Sequence, residues 1–208
     1  MNKKAELIKT FKESDYKESK INLHLHTNFS DGEADFESLI KQAKDKNYKY
    51  ISITDHNTVE GHKLYTDEIL ITGVEFDVWY KYIFFHLLAY GIDINNEDLT
   101  RFLAKNKSET EKDIVRIFAK RNIKDLIKAI HNAGGIAVLA HPACCWALNM
   151  ESFIKDLVSF GLDGLEIYYP YPRWRKYLKF CDPKKLEKIA DKYNLIKTGG
   201  TDLHGTCL

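Results

Sequence analysis

The sequence predicts an α/β fold in which a largely parallel sheet, open or closed into a barrel, is covered by helices. Three observations predict it. Short apolar segments alternate with stretches whose apolar residues recur at helical spacing. One segment, Ile136, Ala137, Val138, Leu139 and Ala140, is apolar throughout, as strands covered on both faces are. Six of the eight histidines fall at or just after the end of a predicted strand, which is where loops are free to vary and functional groups gather in such folds.

Residues 1–20 read as a polar lead-in, helical or frayed. The first strand is Ile21, Asn22, Leu23, His24, Leu25 and His26. Alternation places Ile21, Leu23 and Leu25 on one face and Asn22, His24 and His26 on the other. Asp31 follows in a turn closed by Gly32, and Asp35 caps a helix whose apolar face is Phe36, Leu39, Ile40 and Ala43. Strands are expected at 50–54, 69–75 and 83–90, with the stretch 76–82 turning tightly enough to pair the last two antiparallel. The charged stretch 93–121 breaks the rhythm and reads as a small helical insertion. Ile123, Leu126, Ile127 and Ile130 restore a helix that Gly134 and Gly135 end. After the strand at 136–140, Phe153, Ile154, Leu157 and Val158 mark a helix stopped at Gly161. A strand at 164–169, a helix face of Leu186, Ile189, Ala190 and Tyr193, and a last strand at 196–198 complete the chain, without repeats.

The 208 residues suit one domain with a substantial core. Lysine and arginine number 31 against 30 acidic residues, so no extended nucleic-acid surface is expected of the chain as a whole. The first twenty residues lack the apolar core of a signal peptide, and no apolar run would span a bilayer. A cytoplasmic location without membrane contact is the expectation. Cys144, Cys145, Cys181 and Cys207 lack CxxC spacing and read as free thiols.

Two imidazoles two apart at a strand end, His24 and His26, can reach one metal ion, and Asp31 can fold back beside them. Alone, His-x-His is a weak signal. The chain returns with more donors, His56, Glu75, His86, His141, Asp202 and His204, and with Asp55 beside His56. Glu75 follows an apolar run and reads as a buried carboxylate in need of a cation. His86, in an apolar strand, and His141, before Pro142, also have ordinary readings as a core and a turn histidine. His62 and His131 fall in helices and are read as surface or packing residues. Nine convergent donors exceed the four to six that one ion takes, and argue for several ions.

His24-Leu25-His26, Ser30-Asp31-Gly32, Thr54-Asp55-His56-Asn57, Gly73-Val74-Glu75, His86, Ala140-His141-Pro142 and Thr201-Asp202-Leu203-His204 together resemble the PHP (polymerase and histidinol phosphatase) phosphoesterases. The resemblance covers residues 21–205 and is closest to the stand-alone enzymes that dephosphorylate nucleoside 3',5'-bisphosphates and trim short RNA from its 5' end. It implies a distorted seven-stranded β/α barrel, TIM-like, forming a single domain over 1–208 with a short helical insertion at about 93–122. It also implies a trinuclear centre, two or three of whose places are filled by divalent ions, Mn²⁺, Zn²⁺ or Fe²⁺. On this resemblance His24, His26, Glu75 and Asp202 hold one ion, Asp31, His56 and His204 a second, and Glu75 bridges to a third held by His86 and His141. Asp55 would orient an imidazole from behind.

The implied activity is hydrolysis of a small phosphomonoester, a nucleotide or short oligonucleotide, by a hydroxide shared between ions about 3.5 to 4 Å apart. No separate nucleophile motif or phosphate-binding loop is present. Histidinol-phosphate phosphatase is the alternative enzyme, and a metal-binding module with a structural or docking role the alternative outside catalysis. Of the five arginines, Arg173 and Arg175 sit where a second phosphate could be held, with Tyr168, Tyr169, Tyr171 or Trp174 to stack on a base; Arg116 is a weaker candidate. Cys144 and Cys145 follow His141 closely enough to approach the mouth. Two departures from the family stand out. The insertion is short, and only four residues follow His204, so either the barrel is abbreviated or the amino-terminal segment covers the gap.

Overall fold

The computed structural model describes residues 2–170 and 181–208. Seven strands form one sheet in sequence order: β1 (Ile21–Leu25), β2 (Tyr50–Ile53), β3 (Leu70–Tyr80), β4 (Ile83–Tyr90), β5 (Ile136–Leu139), β6 (Gly164–Tyr168) and β7 (Ile196–Gly199). All neighbours are parallel except β3 with β4 and β4 with β5, so only β4 is reversed. The result is a distorted β/α barrel whose sheet no β7–β1 ladder closes. The seam is spanned beyond the end of β7, where Leu203 bridges Leu25, the His26 amide donates to the Leu203 carbonyl and the Asp202 amide to that of His24.

Helices pack outside where their apolar periodicity demands. The helix α3 (Phe36–Asp45) starts at Asp35, whose side chain accepts from the Ser38 amide, and buries Phe36, Leu39, Ile40 and Ala43 against Ile51 and Ile53. The helices α8 (Ile123–Asn132), α9 (Met150–Ser159) and α10 (Pro183–Lys192) bury Leu126, Ile127 and Ile130, then Phe153, Ile154 and Leu157, then Leu186, Ile189 and Ala190, in one core with β3 to β6. The lead-in forms two short helices, α1 (Lys3–Ile8) and α2 (Glu13–Lys17). Ala5 and Ile8 are fully buried with Ile21, Leu23, Ile71, Leu88, Tyr90, Ile136 and Val138, so the amino-terminal segment covers one end of the barrel. The single turns α4 (Glu60–Leu64), α5 (Glu97–Thr100), α6 (Ser108–Glu111) and α7 (Asp113–Arg116), the last three in the stretch read as an insertion, and a 3₁₀ turn at Pro142–Cys144 complete the described helices. Among the described residues, no helix is long and apolar enough to cross a membrane.

Two strand expectations are corrected. Simple alternation would keep Ile21, Leu23 and Leu25 on one face, but the β1–β2 register slips between Asn22 and Leu25. An extra residue in one strand flips the phase of alternation. Ile21 and Leu23 therefore join the cluster with Leu88 and Val138, whereas Leu25 joins Phe36 and Leu39. The third strand was expected to stop at Glu75, yet β3 runs on to Tyr80 and the turn is confined to Lys81 and Tyr82. Phe76 and Val78 are the reason: they pair with Leu87 and Phe85 and are fully buried. Glu75 is thus a mid-strand residue.

Candidate metal centre

The end of β1 delivers the first donors, and two glycines let the chain close around them. A Cβ on Gly200 would stand 2.3 Å from that of His24, and one on Gly32 2.5 Å from the His26 carbonyl carbon. Only hydrogen in those places allows the chain after β7, with Asp202, and the loop carrying Asp31 to press on the His-x-His segment. Asp202 (φ 52°), His141 (φ 27°) and Asn57 (φ 56°), which follows His56, all hold left-handed backbone conformations. Such conformations cost energy in residues with a Cβ and cluster at functional sites.

The nine residues singled out from the sequence meet in one basin. His24 Nε2 and His26 Nε2 lie 3.1 Å apart, each 3.2 Å from Glu75 Oε2, and 3.3 and 3.1 Å from Asp202 Oδ1. His56 Nε2 is 3.4 Å from the same Glu75 oxygen and 3.6 Å from Asp31 Oδ2, while His204 Nε2 is 3.3 Å from Asp31 Oδ1. Glu75 Oε1 faces the other way, 3.1 Å from His86 Nδ1 and 3.3 Å from His141 Nε2. Three donor groups result among the described residues: His24, His26, Glu75 and Asp202; His26, Asp31, His56 and His204; and His56, Glu75 and His86. His26 and His56 are thus each shared between groups, and His141 borders the third through Glu75 Oε1.

This donor set fits divalent ions. Both oxygens of the fully buried Glu75 lack a hydrogen-bond partner, as do Nδ1 of His86 and of His141. A buried carboxylate left so is costly unless a cation takes its charge. Two imidazole Nε2 atoms at 3.1 Å likewise need a proton or an ion between them. Nitrogen and oxygen donors suit Mn²⁺, Zn²⁺ and Fe²⁺ alike.

Charges in the basin are tightly balanced. Burial works against a charged His26, but the carboxylates of Asp202 and Glu75 beside it outweigh that and raise its pKa to about 9. His141, buried yet beside Cys144 and Glu75, is raised to about 10. His24 is raised well above its ordinary value: burial opposes the shift, but Glu166, Glu75 and Asp202 prevail. Burial, helped by His26, His86 and Arg116, pushes His56 well below its ordinary value and keeps it neutral. Despite burial, the surrounding imidazoles hold Glu75 well below the usual carboxylate range, and those of His24 and His26 do so for Asp202.

Two acidic residues that sequence reasoning missed stand behind the imidazoles. Glu166 on β6 is fully buried; its Oε1 is 2.9 Å from His24 Nδ1 and its Oε2 accepts from the His141 amide at 2.9 Å. It fixes the tautomer that points His24 Nε2 into the basin. A charge inside the apolar strand Gly164–Tyr168 was the signal, the same that marked Glu75. Asp77 Oδ1, also fully buried, lies 3.3 Å from His86 Nε2 and 3.5 Å from His56 Nδ1. It shares a strand face with Glu75, which ending β3 at Glu75 concealed. Glu166→Gln is expected to weaken metal binding by about 10- to 100-fold with the fold retained, measured by equilibrium dialysis beside circular dichroism; unchanged affinity would remove this role.

Other residues differ from expectation. Asp55 orients no imidazole: it accepts from the Thr27 amide and hydroxyl at 2.7 and 2.6 Å and from Ser30 Oγ at 2.6 Å, pinning the loop that carries Asp31. Tyr168 stacks on Tyr16, and Tyr169 donates to Asp202 Oδ2. Arg116 is buried, its Nη1 2.7 Å from Asp31 Oδ2 and its other nitrogens toward Asp77 and Asp113. His62 is buried, with Nε2 2.8 Å from the Ile53 carbonyl, and His131 pairs with Asp163, so both serve packing and surface. Arg173, Arg175, Tyr171 and Trp174 lie outside the described residues.

The PHP domain model matches residues 22–193. The chain belongs to the PHP domain family. Among PHP and other relatives, a phosphoribosyl 1,2-cyclic phosphate 1,2-diphosphodiesterase from Eggerthella lenta is 34% identical over 107 residues, 51% of this chain and 36% of that protein. The 5'-3' exoribonuclease Rnm of Escherichia coli is 29% identical over 171 residues, 73% of this chain and 57% of that protein. The chain therefore spans less than two thirds of the length of either relative. A crystal structure of a candidate metal-dependent phosphoesterase from Bifidobacterium adolescentis superposes with a TM-score of 0.72 at 21% identity, over 89% of this chain and 87% of that one. The structure of an amidohydrolase from Chromobacterium violaceum with bound sulfate and no metal gives 0.71 at 20% identity over 89% and 88%. Both share the fold of this PHP chain.

Proposed function

We propose that this protein is a metal-dependent phosphoesterase hydrolysing a small phosphomonoester, a nucleotide such as a nucleoside 3',5'-bisphosphate. One observation carries the reading: Glu75, fully buried, divides its two oxygens among five imidazoles, three on Oε2 and two on Oε1. A carboxylate so placed would be shared between ions held by those imidazoles. His24, His26, Glu75 and Asp202 would hold one ion, Asp31, His56 and His204 a second, and His86 and His141 with Glu75 a third. When bound, the ions supply charge neutralisation at the phosphoryl group and activation of water at neutral pH.

The chain's own groups orient and steer. Glu166 and Asp77 fix the imidazoles from behind, and Asp55 holds the 27–32 loop so that Asp31 stays aimed inward. His204, 41% exposed, stands at the solvent side, where a substrate enters. Arg116 adds a fixed positive charge beside Asp31. The relatives' names, a phosphoribosyl cyclic phosphate diesterase and an exoribonuclease, support an ester of a ribose over histidinol phosphate.

Manganese-loaded protein is expected to release inorganic phosphate from a nucleoside 3',5'-bisphosphate faster than from histidinol phosphate. Chelation should abolish the release and added Mn²⁺ restore it. Full activity after stripping, or no release with Mn²⁺, Zn²⁺ or Fe²⁺, overturns the reading.

A further inference from the structure

Beyond the donors, the β3–β4 ribbon carries the same face outward. Asp77 pairs with His86 and Trp79 with Phe84, and alternate residues of a strand share a face. Glu75, Asp77 and Trp79 on β3 therefore line up with His86 and Phe84 on β4. The opposite face, Val78, Ile83 and Phe85, is buried in the core. On the basin side the rings form a series. His141 and His86 have centroids 5.2 Å apart, His86 and Phe84 meet edge to face at 5.4 Å, and Phe84 and Trp79 lie at 5.3 Å.

Trp79 is 37% exposed, and its indole N–H is already donated to the Ile117 carbonyl, so what it offers outward is ring surface. Ile117 and Phe118, which follow α7, are also exposed, Phe118 at 74%. A tryptophan serving only to seat the 113–118 segment would be covered by it. Strands rise about 3.3 Å per residue, so Phe84 lies about 7 Å along the ribbon from His86. That is the reach of a pentose between a phosphate and its base.

We infer that Trp79 and Phe84 form the seat for the flat ring of the substrate, a nucleobase whose phosphate lies at the Glu75 end of the same ribbon. The inference rests on the phosphoesterase reading for the position of the phosphate. Its chemistry is face stacking, which tolerates any base and rejects a phosphate ester that lacks one.

Direct binding tests it independently of turnover. Manganese-loaded protein is dialysed to equilibrium against the hydrolysis-resistant methylenephosphonate analogue of a nucleoside 5'-monophosphate and, separately, that of ribose 5-phosphate. The nucleotide should bind about tenfold tighter or more, in line with stacking on an aromatic seat. Trp79→Ala and Phe84→Leu, the second keeping apolar volume without a flat ring, should bring that ratio to within about twofold of one. Trp79→Phe, which keeps a ring but loses the bond to Ile117, should retain the preference, whereas a merely structural indole would lose it. A ratio near one in the unaltered protein, or a ratio that survives Phe84→Leu, overturns the inference. Nucleotide preference without phosphate release would instead sink the phosphoesterase reading and leave the seat standing.

Discussion

Glu75→Gln is expected to lower phosphoester turnover by about 10³-fold and to remove at least one bound ion while leaving the fold in place. The substitution keeps the shape of the side chain and deletes its charge. Among the described residues, Glu75 is the one carboxylate that faces imidazoles from β1, β4 and the loops after β2 and β5 together, through distances of 3.1 to 3.4 Å. An amide would offer one weakly donating oxygen where two charged ones stood, so no pair of ions could share it. Removing a preorganised electrostatic contributor at a reacting centre typically costs about 10² to 10³ in rate, and an ion lost with it adds to that. Stability should suffer far less, because a neutral amide is cheaper to bury than a charge without a cation. Metal counting by mass spectrometry, kinetics with a nucleoside bisphosphate and circular dichroism would be read together. Ion content and turnover within twofold of the unaltered protein would show that Glu75 is not the bridge.

What the sequence made legible was local or periodic. The cap at Asp35, the apolar face of Ile123, Leu126, Ile127 and Ile130, and the reversal between β3 and β4 are written in residues a few positions apart. So is the gathering of donors, because six histidines outside the helices leave few places to go. The rest depends on contacts between distant segments. The slip in β1 between Asn22 and Leu25 accompanies the close approach of Gly200 to His24, 176 positions on. Asp77 looked like a turn residue because its partner His86 is visible only once the ribbon is built. Asp55 neighbours His56 in sequence, yet adjacent residues of an extended chain face opposite ways; its carboxylate reaches Thr27 and Ser30 instead. Glu166 was within reach: a lone acid in an apolar strand is the pattern that marked Glu75.

Metal loading is expected to release protons, and the thermal stabilisation it brings should therefore widen as pH rises. In the metal-free fold His26 and His141 keep their protons up to about 9 and about 10, against an ordinary 6.5. A histidine whose folded pKa is raised contributes stability that is fully present below 6.5 and is lost as pH climbs through the folded value. Asp31 and Asp202, held far below their ordinary 3.8, contribute stability that is present above that value and lost in acid. The stripped protein should thus be most stable between about pH 5 and 6.5 and weaken above it. Ions need the neutral imidazoles, so each displaced proton makes their apparent affinity rise about tenfold per pH unit. At fixed free Mn²⁺ that corresponds to about 1.4 kcal/mol per pH unit per proton, or roughly 3 to 5 °C in a chain of this size. Melting temperatures measured with Mn²⁺ and with chelator at pH 6, 7 and 8 should diverge accordingly, while calorimetry in buffers of different ionisation enthalpy counts the protons. A gap that stays constant or narrows over that range would mean that ions do not displace the protons of His26 and His141, and no gap at any pH would mean that the basin is a network of paired charges with no place for a cation.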